Sequence, residues 1–136
     1  MASIFTRIVN GEIPCYKVAE TDRCLAFLDI NPIARGHVLC IPKQEVDNIF
    51  DIEDGLFCEL HLFAKRVAMA LRHVCPCIKV GQAVIGIDVP HAHIHLVPIN
   101  KPADMDFTTH VAMTPDELAD LAQAISDTLA KMPAKC

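Results

Sequence analysis

The sequence predicts an α+β fold: an antiparallel sheet of about five strands, a long helix packed on it and an additional C-terminal helix. Three observations predict it. Short runs rich in Val, Ile, Leu and Phe are bounded by polar or Gly/Pro turns. Apolar residues then recur every three or four positions from Leu56 to Val74. A complete helix start stands at Thr114-Pro115-Asp116-Glu117. At 136 residues the chain fits one domain, 1–136, long enough to bury a proper core.

Ser3 can cap a short helix carrying Ile4, Phe5 and Ile8, which Gly11 and Pro14 end. Strands follow over 16–20 and 24–29, around the polar turn Thr21-Asp22-Arg23. Asn31-Pro32 and Gly36 mark a loop before a strand over 37–42. The long helix presents Leu56, Leu60, Phe63, Val67, Leu71 and Val74, widened by Phe57 and Ala64, with Asp51 or Asp54 available as cap. His61 and His73 read as surface or packing residues of that helix. The Val- and Ile-rich stretch 77–87 predicts a fourth strand, joined to a fifth by a tight connection at 86–90. A loop is expected over 101–109. The last helix, about 114–131, has Thr114 as cap, Pro115 at its first position and an apolar face of Leu118, Leu121, Ala122, Ile125 and Leu129. Its pattern suits either a cover for the sheet or a contact with a partner subunit.

The fifth strand holds the chemistry. In Pro90-His91-Ala92-His93-Ile94-His95-Leu96-Val97-Pro98-Ile99 three histidines alternate with apolar residues. Period two puts His91, His93 and His95 on one face of a strand and Ala92, Ile94 and Leu96 on the other, in the core. A lone histidine there would be an ordinary half-buried residue. Three in strict alternation are hard to explain by packing, because each neutral ring brings a donor and an acceptor that need partners. Metal binding by the whole row conflicts with geometry: positions i and i+4 stand about 13 Å apart at about 3.3 Å per residue, against a zinc–nitrogen bond of about 2.0 Å. Two of the three with a distant ligand remain open. A phosphate suits the row better, one imidazole attacking phosphorus while neighbours donate to its oxygens.

The net charge of −5 argues against a broad nucleic-acid or membrane-surface partner, which requires a basic face. No apolar run reaches the roughly 18 residues of a membrane span, and the N-terminus lacks a signal-peptide pattern, so a cytoplasmic setting with reduced thiols is expected. Of the seven cysteines, Cys24, Cys40 and Cys58 read as small core residues. Cys75-Pro-Cys77 is one residue short of the usual metal or redox spacing.

The alternating triad, with Ile4-Phe5, Asn10-Gly11-Glu12-Ile13-Pro14, Leu25-Ala26-Phe27-Leu28-Asp29-Ile30-Asn31-Pro32 and Gly36-His37-Val38-Leu39-Cys40-Ile41-Pro42-Lys43, resembles the histidine triad (HIT) superfamily, Hint-like branch, over about residues 3–100. The resemblance implies a homodimer that binds a purine nucleotide or nucleotide conjugate and needs no cofactor. It also implies a hydrolase or transferase acting at the α-phosphate of a nucleoside phosphoramidate or dinucleoside polyphosphate. His93 would be the nucleophile and His95 a donor to a non-bridging oxygen, with His37 donating from the other side. His91 would fix the tautomer of His93. Asp29 would accept the ribose hydroxyls, and Phe27, Ile30, Ile4, Phe5 and Ile8 would form the base pocket. Asp88 and Val89 would stand near the phosphate. A nucleotide-binding module with little catalysis is the alternative, and a zinc-dependent hydrolase a third.

The chain departs from such relatives at several positions. Many bacterial ones hold a structural zinc with a Cys-x-x-Cys where this chain has Ser3 and Thr6, and often place a histidine where Gln44-Glu45 follow Pro42-Lys43. Before the triad, Val80 stands near the expected Asn, Ile87 replaces Gln, and Asp88 replaces a Ser or Thr. For Asp88 the expected role is to turn from the phosphate and orient a histidine.

Overall fold

In the computed structural model, which describes residues 2–133, every strand is antiparallel to its neighbours. They are β1 (Lys17–Glu20), β2 (Cys24–Leu28), β3 (Val38–Pro42), β4 (Lys79–Ala83) and β5 (Ile94–Ile99), in the spatial order β1-β2-β3-β5-β4. Helix α1 (Ile4–Val9) precedes the sheet, α2 (Asp54–Val74) follows β3, and α3 (Pro115–Ala130) ends the described chain. The predicted fold class holds. The strands are shorter than expected: 77–87 contracts to Lys79–Ala83, and the triad strand begins only at Ile94. The 101–109 loop contains a 3-10 turn, Pro102–Met105.

Alternation sorts the side chains. Cys24, Ala26 and Leu28 of β2, Val38 and Cys40 of β3, and Ile94 and Leu96 of β5 join the buried stripe of α2, from Leu56 through Leu60, Phe63 and Val67 to Leu71. The apolar face of α3, Leu118, Leu121, Ala122 and Ile125, packs into the same layer, against α2 and β1. So α3 covers the helical side of the sheet, which the sequence left undecided. Leu25, Phe27, Leu39 and Ile41 point the other way and meet Phe5 of α1. On that second face Leu39 pairs with His95.

Two local expectations change. The α2 cap is neither Asp51 nor Asp54 but Glu53, whose carboxylate accepts from the N–H groups of Gly55 and Leu56 and is held by Arg23. Asp51 is taken up in a 3-10 turn, Ile49–Asp51, and Asp54 is already helical. Cys24 and Cys40 are buried, whereas Cys58 lies on the exposed side of α2. Cys136 is outside the described residues. No described helix is long and apolar enough to cross a membrane.

Candidate active site

The second face of the sheet opens into a cleft of about 410 Å³ between α1, the ends of β2 and β3, the β4–β5 connection and the segment after β5. His37, His93 and His95 line it together with Asp29 and Asp88. A larger cavity of about 840 Å³ between β1, α2 and α3 is walled mainly by aliphatic side chains and surface ion-pairing residues and holds no histidine. The histidines belong to the smaller one.

Each triad-side histidine is buried, from 0% exposure at His91 to 9% at His95. Their hydrogen bonds fix the tautomers. The Ile33 N–H donates to Nδ1 of His37 (3.2 Å), so that nitrogen is bare and the neutral ring carries its hydrogen on Nε2. His37 Nε2 then donates to Nδ1 of His95 (2.9 Å), which places the His95 hydrogen on Nε2. His93 donates from Nδ1 to the main-chain carbonyl of His91 (2.7 Å) and keeps Nε2 bare. His91 donates from Nε2 to the Pro42 carbonyl (2.8 Å) and accepts the Ser3 hydroxyl at Nδ1 (2.8 Å). Among these four rings only Nε2 of His93 and Nε2 of His95 have no protein partner in the described structure. No fully buried polar side-chain atom among the described residues lacks a partner, so both free nitrogens reach open space. One is a lone pair and the other a donor, on rings whose centroids lie 4.8 Å apart.

Burial favours the neutral form of His37, His95 and His91. It pushes His37 down to about 4, with His110 and His93 adding to the effect. It pushes His95 down to about 4 as well, helped by His93 and His37 and opposed by the Asp29 carboxylate. His91 is also lowered by burial. Gly36 makes the His37 end of this arrangement possible. Its φ of +99° suits glycine alone, and a Cβ there would stand 2.9 Å from Cys75 Sγ and from a carbon of Pro98.

The histidines expected at the site differ in what their nitrogens bond to. His37 has both nitrogens engaged within the protein, by the Ile33 N–H and by His95, so no hydrogen of its ring is left free toward the cleft. The ring of His91 bonds to Ser3 and to the Pro42 carbonyl and does not line the cleft, and it is the His91 carbonyl that accepts from His93 Nδ1. Asp88 is exposed on the cleft wall and has no hydrogen bond or ion pair among the described residues, so it orients no histidine. Val80 packs against the helical side of the sheet and does not reach the cleft, whereas Ile87 does.

Of the expected nucleoside residues, Ile4, Phe5, Asp29 and Val89 line the cleft. Phe27 lies behind Phe5, edge to face at 5.6 Å, and Ile8 packs into the same apolar cluster. Neither forms the wall. Ile30 is 73% exposed and does not line the cleft either, because the chain turns outward after Asp29. Phe107 and His110 were not anticipated. Phe107 packs edge-on to His95 (4.8 Å), and His110 donates from Nδ1 to the Asn31 carbonyl (2.9 Å) while the Val111 N–H donates to that of Pro32. An aromatic residue near a histidine in a polar stretch carries no periodic signal, so the sequence gives no means of placing them.

Two metal possibilities can be tested on donor chemistry. Where bacterial relatives of the resembled family hold zinc, this chain has a hydrogen-bonded strap. Glu45 Oε1 accepts the Ser3 N–H and the Thr6 hydroxyl, both at 2.6 Å, and these hold its carboxyl down at about 2. Ser3 in turn donates to His91. Two neutral hydroxyls, one carboxylate and an already occupied imidazole nitrogen do not fit a zinc that takes thiolate and free imidazole ligands. Asp29, His37 and His95 also bring ligand atoms within 4.8 Å of one another. There the Ile33 N–H faces His37 Nδ1, so coordination through Nε2 would require an imidazolate or the loss of that contact.

A sequence profile of the HIT domain matches residues 10–102. The chain belongs to the HIT family. Among HIT proteins, an adenosine 5'-monophosphoramidase of Schizosaccharomyces pombe is 33% identical over 93% of this chain and 97% of its own length. An adenosine 5'-monophosphoramidase of Saccharomyces cerevisiae is 38% identical over 71% of this chain and 62% of its own. The crystal structure of a zinc-bound histidine triad family protein from Mycobacterium smegmatis superposes with a TM-score of 0.81 at 26% identity, covering 96% of this chain and 95% of that one.

Proposed function

We propose that this HIT protein is a nucleotide hydrolase or transferase acting at the α-phosphate of a nucleoside phosphoramidate or dinucleoside polyphosphate. The observation that carries the reading is the pair of unpartnered nitrogens in the cleft, a lone pair on His93 Nε2 beside a hydrogen on His95 Nε2. The His93 lone pair attacks phosphorus, forming an N–P bond as the bond from phosphorus to the leaving nitrogen or oxygen breaks and that atom takes a proton from solvent, which the water of the second step returns. His95 donates to the non-bridging oxygen that gains charge. Water then attacks phosphorus, the N–P bond breaks, the nucleoside monophosphate departs and His93 returns to its neutral form. The relatives named as adenosine 5'-monophosphoramidases support the phosphoramidate among these substrates.

Asp29, at the end of β2, is the carboxylate for the ribose hydroxyls, with Ile4 and Phe5 beside the base. Its Oδ1 already accepts the Asn31 N–H (2.8 Å), which sets the carboxylate plane. No metal is required, since the donors are imidazoles whose tautomers the main chain sets. A homodimer is expected of the protein; the exposed Leu62 and Met69 of α2 and the open edge of β4 are compatible with it.

The direct test is turnover of adenosine 5'-phosphoramidate by the purified protein, with and without chelator. It is paired with mass spectrometry of an alkaline-quenched reaction for a nucleotidylated His93 peptide. Turnover that survives chelator and is lost in His93→Ala supports the reading; turnover abolished by chelator overturns its metal independence. A second reading, a nucleotide-binding module with weak catalysis, is favoured by Ile87 and by the unpaired Asp88 in the cleft. It predicts tight AMP binding with no covalent intermediate.

A further inference from the structure

We infer that Asp88 makes this cleft selective for substrates whose leaving group carries a positive charge, such as an α-phosphoramidate of a diamine or of a basic peptide amine, over those with an anionic polyphosphate leaving group. The inference rests on the reading of His93 as nucleophile.

The charge inventory of the cleft carries the argument. Its walls include two carboxylates, Asp29 and Asp88, and no lysine or arginine. The His95 ring is a neutral donor whose tautomer His37 holds, so it stabilises one phosphate oxygen through an oriented hydrogen bond without supplying a net positive charge. Asp29 is engaged by the Asn31 N–H and lies 3.7 Å from His37 Nε2. Asp88 is not engaged at all among the described residues. It stands on the β4–β5 connection, five positions before the nucleophile and on a different element from the nucleoside wall of α1 and β2.

Each phosphate beyond the α position would bring further negative charge into a space with fixed negative charge and no fixed cation. A protonated amine carried by the leaving group would meet an unpaired carboxylate. Opposite charges in a partly screened cleft shift rates by about tenfold, and like charges shift them by a similar factor the other way.

The test uses the full-length protein and three adenosine 5'-phosphoramidates of matched leaving-group length. Their amines are propylamine, propane-1,3-diamine and β-alanine. For the wild-type protein kcat/KM should be about tenfold higher for the diamine than for the propylamine compound, and lowest for the β-alanine one, with the spread narrowing as salt is raised. In Asp88→Asn and Asp88→Ser the diamine-to-propylamine ratio should collapse towards one. Both variants change an exposed loop residue and should fold normally. Turnover of all three compounds with equal kcat/KM overturns the inference and leaves the proposed function standing. So does a ratio that persists in Asp88→Asn. Failure to cleave any of the three while AMP is bound overturns the function and this inference together.

Discussion

Replacing His37 with leucine separates two ways in which that residue could serve the reaction. If His37 touched the phosphate, its loss would match the loss of an oxyanion donor, about 10²–10³ in kcat. In the structure both of its nitrogens are occupied, by the Ile33 N–H at 3.2 Å and by His95 Nδ1 at 2.9 Å. Its contribution is then to hold the His95 hydrogen on the cleft side and to fix the ring plane. A free imidazole shares its hydrogen between both nitrogens, so losing the tautomer preference costs about twofold. Losing one orienting hydrogen bond costs about 1 kcal/mol, or roughly fivefold. The expected fall in kcat is therefore about tenfold, well short of that for His95→Ala. Leucine also orphans the Ile33 N–H and His95 Nδ1 at about 1–3 kcal/mol each, so stability should fall by roughly 2–6 kcal/mol. His37→Gln keeps a donor for His95 and should recover most of the activity and part of the stability. The assays are kcat and KM on adenosine 5'-phosphoramidate and urea unfolding of the same samples. A His37→Leu defect equal to that of His95→Ala would show direct contact with substrate and refute the orienting role. An unchanged kcat would show that His95 needs no orientation.

His93→Ala should lower kcat by about 10⁴-fold or more and abolish the covalent intermediate, while AMP affinity measured by calorimetry changes little. Acid should destabilise the fold in a window that belongs to the histidines. His37 and His95 are held at about 4 against an ordinary 6.5, so below pH 6.5 the unfolded chain takes up protons that the native rings refuse. Stability should thus be full above pH 6.5 and fall by about 2–3 kcal/mol for one ring by pH 4.5. Carboxylates held below their ordinary values, such as Glu45, lose their contribution only at lower pH still, so urea midpoints flat between pH 7 and 4.5 would contradict this. Ser3→Ala removes both the α1 cap and the donor to His91 and should cost roughly 2–4 kcal/mol by thermal or urea melts. A loss under 0.5 kcal/mol would show that the strap does not hold α1.

What the sequence made legible was what repeats. Period two in 91–96 sends Ala92, Ile94 and Leu96 to the helical core and puts His93 and His95 on the opposite face, as the structure has them. The 3.6-residue period of α2 names its buried stripe. What it left illegible depends on single main-chain atoms and on distant segments meeting. Nothing in the order of residues says that the Ile33 N–H meets His37 Nδ1, yet that contact decides which nitrogen of His95 bears hydrogen. The ring of His91 leaves the cleft because the chain bends before β5 begins. Capping by Glu53 rather than Asp51 or Asp54 follows from a 3-10 turn that shifts the helix start by a residue or two. Phe107 and His110 reach the cleft only because the segment after β5 is tied to the carbonyls of Asn31 and Pro32.

The strap at α1 joins the surroundings of His93 to segments distant in sequence. Phe5 stands edge-on to both His91 (5.8 Å) and His93 (5.0 Å), so the short helix that carries it forms one wall beside His93. A helix of six residues is too short to be stable by itself. It stays in place because its cap and first turn bond to Glu45 and His91, which belong to the segments following β3 and preceding β5. Here the strap consists of neutral hydroxyls and a single carboxylate held well below its ordinary range, so it does not titrate near neutral pH. The wall beside His93 is thereby set without thiol chemistry, and oxidation of the exposed cysteine on α2 should leave it undisturbed.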